Sequence, residues 1–183
     1  ATSWNWVACD LAIAAAGAIT IPIYSSNTPD ECKYILNNSE ASLVFVDNDE
    51  KDAKQAGRVS RLRSRLGDCP SVKKVVLFEG APAGGNETSL ADVMSAGEAS
   101  HRASPKAFGE RVARIKGDDA TCFLYTSGTT GDPKGVILTH GNWAYEAQTV
   151  ATMGLMIAVD SVILFLPLAH SCAQVVKAAW LGM

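Results

Sequence analysis

The sequence predicts an α/β fold with parallel-rich sheets flanked by helices and a polar glycine loop between two strands. Three observations carry this. Short β-branched runs, "SLVFV" (42–46) and "KKVVLF" (73–78), alternate with segments of helical period. Such alternation marks βαβ units and a parallel sheet covered by helices. A capping signal opens one of those helices. Finally, "YTSGTTGDPKG" (125–135) lies between the apolar segments "TCFL" and "VIL".

Taken in order, Trp4 to Ala16 reads as an alanine-rich helix, with Gly17 suited to a left-handed C-terminal cap. "AITIPI" (18–23) reads as a buried strand, with Pro22 near its end. "NTPDE" starts the next helix: Thr28 as N-cap, Pro29 at the first position and Glu31 closing a capping box, with the helix running to about Asn38. Strand 42–46 follows, then a polar helix from about Asp49 to Leu66, then strand 73–78. Residues 79–118 are rich in Gly, Pro, Asn and Ser, and read as a surface excursion with one or two short helices. "DDATCFLY" (118–125) is a strand into the loop and "GVILTH" (135–140) the strand out. "GNWAYEAQTVATMGL" is a helix with Asn142 as candidate N-cap. "SVILFLPLAH" (161–170) reads as a buried strand stopped by Pro167. The organisation is thus a βαβ region (1–78), an excursion (79–118) and a loop region (119–183).

Composition narrows function. Net charge is −3 over 183 residues, which gives no electrostatic footprint for nucleic acid. In the basic cluster "RVSRLRSRL" (58–66), Arg58, Arg61 and Arg65 share a helix face, and a solvated amphipathic helix is the expectation. Five widely spaced cysteines without a Cys-x-x-Cys pair argue against a disulfide framework or zinc site and for a reducing cytoplasm. Cys122, in an apolar run, is expected in the core. The longest apolar run, "LAIAAAGAITIPI", is broken by Gly17 and Pro22 and is too short to span a bilayer. The chain opens on Ala, within what reads as a helix, and closes on "AAWLGM" without a stop signal, so a fragment is expected.

The loop has the chemistry of a phosphate cradle. Gly128, Gly131 and Gly135 allow backbone N–H groups to approach a polyanion; Thr126, Ser127, Thr129 and Thr130 add hydroxyls; Lys134 adds a cation on a long stem. A glycine hairpin turn explains the glycines but not the hydroxyls and the lysine. The Walker pattern fails because Asp132 and Pro133 separate Gly131 from Lys134, and the dinucleotide pattern G-x-G-x-x-G is absent.

"YTSGTTGDPKG" resembles the signature loop of the adenylate-forming enzymes, a family of acyl-CoA synthetases, peptide-synthetase adenylation domains and luciferase. "GVILTHGNW" continues the likeness, and "FLPLAH" (165–170) resembles the family's next motif. "GAITIPIYSSNTPDECKYILNNSEASLVFV" is similar to a segment of long-chain acyl-CoA synthetases. The resemblance implies part of a large N-terminal domain, with the C-terminal domain outside the chain. It implies activation of a fatty acid by ATP to acyl-AMP, then transfer to coenzyme A. The loop residues Thr126 to Gly131, with Lys134 and Gly135, would bind ATP phosphates, and Thr126 would offer a hydroxyl to Mg2+. Lys134 would act catalytically on the phosphates and His170 would lie beside the carboxylate. A histidine capping a strand end is the bland alternative for His170. His140 is expected to be structural and His101 solvated. After His170, "SCAQVVK" departs from residues long-chain relatives often carry, which bears on chain-length preference. Peripheral membrane association is a property of many long-chain ligases. The isolated 183 residues are expected to show no turnover. Alternatives are adenylation of an aryl, amino or polyketide-starter acid, and a non-catalytic nucleotide-binding module.

Overall fold

The computed structural model describes residues 2–47, 57–126, 132–157 and 159–182. It divides into two compact units, Ala1–Tyr24 with Gly109–Met183, and Ser25–Phe108.

The unit Ser25–Phe108 holds a parallel sheet. Helix α2 (Pro29–Asn38) begins as its sequence dictates: Glu31 N–H donates to Thr28 Oγ1, and the Glu31 carboxylate accepts from Thr28 N–H at 2.7 Å. Strands β1 (Leu43–Val46), β2 (Lys74–Leu77) and β3 (Glu87–Ser89) pair in that order, all parallel, with Val44 opposite Val75 and Val76 opposite Thr88. Val75, Val76 and Leu77 are buried and form the core with Ile35, Leu36, Val59 and Cys69. Between β1 and β2 lies helix α3 (Arg58–Arg63), followed by a 3-10 turn at Leu66–Asp68. The expected helix to Leu66 therefore ends three residues early, and its first part lies outside the described residues. Helix α4 (Leu90–Ala103) starts in a second capping box, Ser89 with Asp92, and packs on β2 and β3.

Two expectations change in this unit. The segment 79–118 is not only an excursion, because β3 emerges from it as an edge strand. The "ETS" triplet has no apolar pattern; Arg63 anchors it through two hydrogen bonds of 2.7 Å to the Glu87 carboxylate. The arginine helix is amphipathic as expected, with Val59 buried and Ser60, Arg63 and Ser64 exposed, but its arginines are engaged rather than simply solvated. Arg58 pairs with Asp47, Arg65 with Asp30, and Arg61 donates to the Ser25 carbonyl at 3.1 Å. Helical spacing reports a face but not what lies against it.

The other unit contains helix α1 (Trp4–Ala15), α5 (Ala107–Val112, crossing the unit boundary), β4 (Ala120–Thr126), β5 (Lys134–Thr139), α6 (His140–Thr152) and α7 (Ser171–Leu181). Helix α1 starts beneath a Ser3 N-cap rather than at the first residue, and Gly17 takes φ +66° just past its end. β4 and β5 form an antiparallel pair. The segment 18–23 is not a strand. It contributes one parallel bridge, Thr20 to Cys122, because the Thr20 N–H donates to the Thr121 carbonyl and the Phe123 N–H donates to the Thr20 carbonyl. Cys122 is buried, as its apolar context predicts.

The expected strand at 161–170 is absent. Ile163 and Phe165 are 86% and 81% exposed, and no ladder partner lies beside the segment among the described residues. Only its end is buried, at Leu168 and Ala169. An apolar run has strand geometry only where a neighbouring backbone takes its N–H and C=O groups. No helix among the described residues is long and apolar enough to cross a membrane.

Candidate functional site

β4 alternates as a half-buried strand: Cys122 and Leu124 point inward, while Thr126 emerges exposed at its end. The chain returns at Lys134, which is exposed and pairs with Thr126 across the ladder; Tyr125 pairs with Gly135. Directly opposed residues of an antiparallel pair project to one face with Cβ atoms about 5 Å apart. The hydroxyl and the cation thus share a face at the mouth of the loop. Lys134 has no ion-pair partner among the described residues. Ser127, Gly128, Thr129, Thr130 and Gly131 lie outside the described residues.

Gly135 has a second reason to be glycine. A Cβ there would stand 3.2 Å from Tyr125 Cζ and 3.4 Å from Cε2, so the tyrosine ring lies over the glycine across the strands. This is close approach, not positive φ, since Gly135 is not among the left-handed glycines.

The strand out of the loop runs directly into α6. Thr139, not Asn142, is the N-cap. Asn142 N–H donates to Thr139 Oγ1 at 3.2 Å, and Asn142 Oδ1 accepts from Thr139 N–H at 2.9 Å. His140 begins the helix, and its N–H donates to the Asp119 carbonyl at 3.1 Å. This backbone bond fastens the start of α6 to the chain entering β4.

His170 is the N-cap of α7. Cys172 N–H donates to its Nδ1 at 3.2 Å, and its own N–H donates to the Pro167 carbonyl at 2.8 Å. A ring nitrogen that accepts carries no proton, so the capping geometry selects the Nε2–H tautomer, with Nε2 as the donor. The ring is exposed while Leu168 and Ala169 behind it are buried. No hydrogen bond among the described residues joins His170 to Thr126 or Lys134.

A buried polar cluster was missed by sequence reasoning. Asp10 and Lys177 pair with side chains only 13% and 11% exposed. Lys177 Nζ also donates to Gln174 Oε1 at 2.5 Å and lies 5.7 Å from the Trp6 ring centre. The available signal was charge isolation: Asp10 is the lone charge of α1, and Lys177 the lone charge of α7. Burial, and after it the Asp10 carboxylate, push the Cys122 thiol up to about 12 against the opposing pull of Lys177.

Among the described residues no group of three or more His, Cys, Asp or Glu side chains is gathered as a metal cage. The site is instead a hydroxyl and a cation flanking a glycine loop, suited to an anion.

Comparison with known proteins gives the family. The family described as AMP-binding enzyme matches residues 1–182. A long-chain-fatty-acid–CoA ligase, FadD15 of Mycobacterium bovis, is 32% identical over 181 residues, covering 98% of this chain and 28% of its own. The rat long-chain-fatty-acid–CoA ligase ACSBG2 is 30% identical over 180 residues, covering 94% of this chain and 25% of its own. The chain therefore spans little more than a quarter of these curated relatives. Among solved structures, a long-chain-fatty-acid-CoA ligase from Archaeoglobus fulgidus superposes with a TM-score of 0.73 at 26% identity, over 96% of this chain and 31% of that one. An anthranilate CoA ligase bound to anthranoyl-AMP shares the fold at a TM-score of 0.59 and 22% identity, over 80% of this chain and 25% of that one. A glycine and hydroxyl loop between paired strands, set in a match along almost the whole chain, makes this protein a member of the AMP-binding enzyme family.

Proposed function

We propose that the protein carrying this chain activates a long-chain fatty acid with ATP, forming acyl-AMP and pyrophosphate, and then passes the acyl group to coenzyme A. The observation that carries this reading is the Thr126–Lys134 pair flanking the loop, a hydroxyl and an exposed cation on one face. Relatives named as long-chain-fatty-acid–CoA ligases over nearly the full chain support the choice of acid.

The chemistry follows from the charges. Attack of a carboxylate on the α-phosphorus of ATP builds negative charge on the departing pyrophosphate. Lys134, its backbone held at a strand end, offsets that charge. Thr126 donates its hydroxyl to a phosphate oxygen or turns its lone pairs to a cation. Thr126 would hold Mg2+ through its hydroxyl, a hard oxygen donor of the kind this ion takes. When bound, Mg2+ supplies charge neutralisation on the phosphates. The loop residues Ser127 to Gly131 complete the phosphate contacts, with Gly135 holding the strand pairing beside them. His170, donating from Nε2, orients the acid carboxylate. ATP and coenzyme A are water-soluble while a long-chain fatty acid partitions into lipid, which fits a cytoplasmic enzyme that meets membranes peripherally.

The test is ATP–pyrophosphate exchange by the complete protein over a panel of fatty, aryl and amino acids. Exchange that depends on long-chain fatty acids is expected. Exchange driven by aryl or amino acids alone assigns a different acid, and ATP binding without exchange assigns a non-catalytic module.

A further inference from the structure

The buried cluster joining α1 to α7 ends on a backbone carbonyl two residues before His170. Lys177 is a donor only, so the Gln174 oxygen must face it. That leaves Gln174 Nε2 turned the other way, where it donates to the Leu168 carbonyl at 2.5 Å. Gln174 is 3% exposed and Leu168 2%, so neither group has water as a substitute partner. Asp10 holds Lys177 from α1, and the Trp6 ring covers it from the same helix.

The turn is also tied from within. His170 N–H closes it on the Pro167 carbonyl, and Gln174 N–H donates to the His170 carbonyl at 3.2 Å. His170 stands on the exposed side of a turn whose buried side is gripped by Gln174.

We infer that Gln174 and Lys177 are positioning residues for His170: the chain Asp10–Lys177–Gln174–Leu168 sets where the imidazole meets the carboxylate substrate. This rests on the reading of His170 given under Proposed function. The lysine acts as the orienting charge. It fixes which end of the Gln174 amide faces the turn, and the amide fixes the turn. A cluster serving stability alone needs no such relay to an exposed histidine.

The test uses the complete protein and fatty acid-dependent ATP–pyrophosphate exchange. Gln174→Met is expected to raise the KM for fatty acid about tenfold while the KM for ATP stays within about twofold. If Gln174 acts through His170, the double variant Gln174→Met/His170→Ala is no worse than His170→Ala alone. Should Gln174→Met fail to fold, Gln174→Glu keeps the acceptor for Lys177 but loses the donor to Leu168, and the same rise in fatty acid KM is expected. A fatty acid KM unchanged in the folded Gln174 variant, while His170→Ala raises it, overturns the positioning role and leaves the proposed function standing. Additive effects in the double variant, or equal rises in both KM values, also overturn it. An unchanged fatty acid KM in His170→Ala removes the role assigned to His170 itself, and the positioning role with it.

Discussion

Thr126 and Lys134 face one another as the last cross-strand pair of β4 and β5, so the loop between them begins at a hydroxyl and ends at a cation. The pairing gives Lys134 a defined origin despite its flexible stem. In the complete protein, Lys134→Ala is expected to lower fatty acid-dependent ATP–pyrophosphate exchange by about 100-fold. Lys134→Arg should recover part of it, since a fork-shaped cation replaces a point charge. Thr126→Ser should stay near the parent rate and Thr126→Val should lose about tenfold or more. Near-normal exchange in Lys134→Ala sinks the proposed role of the loop.

Gly135 permits a separate test of architecture. Its missing Cβ makes room for the Tyr125 ring at 3.2 Å. Gly135→Val is expected to destabilise the protein by about 1–3 kcal/mol through overpacking. Shrinking the ring relieves the clash, so Tyr125→Ala should recover part of the loss in the double variant. Melting temperatures of the four proteins measure this. Strictly additive losses would show that the two residues do not share the space.

These positions show what could be read from sequence and what could not. The Thr28–Glu31 box was legible because its partners are three residues apart and need no tertiary context. The α6 start was read three residues late, since Thr139 and Asn142 are both good caps and only the backbone of β5 decides between them. The run at 161–170 looked like a strand from composition, yet strands are made by partners, and sequence does not name them. β3 failed in the opposite way: three polar residues became a strand through an ion pair from 24 positions away. Of the site, the loop residues were visible as a motif. The Asp10–Lys177–Gln174 cluster was not, because its members lie up to 167 positions apart.

Acid should act on the unit Ser25–Phe108 through Glu87. Two hydrogen bonds from Arg63 hold its carboxyl down at about 2, with the Ala83 N–H and the Arg63 charge assisting against burial. The ordinary value is 4.5. A carboxyl depressed on folding stabilises the folded state above its unfolded pKa and stops doing so as it protonates. Stability is therefore expected to fall between pH 4.5 and about 2. Glu87→Gln should be less stable at neutral pH and should flatten that part of the curve. Urea midpoints measured from pH 7 to pH 2.5 check it, and parallel curves for both proteins would refute the assignment.

Thiol reactivity tests the core of the other unit. The thiolate is the reactive species, and burial drives the Cys122 thiol up to about 12, with Asp10 adding to the shift and Lys177 opposing it. Cys172 lies exposed at the start of α7. At pH 8, iodoacetamide is expected to modify Cys172 first and to leave Cys122 unmodified until denaturant is added. Lys177→Met removes a charge that opposes the rise of the Cys122 thiol but also loosens the Asp10 cluster. Earlier labelling of Cys122 in that variant would mean that the cluster seals β4, because loss of the lysine alone should make the thiol less acidic. Peptide mass spectrometry across a labelling time course separates the two cysteines. Rapid modification of Cys122 in the folded parent would show that this strand is not buried as described.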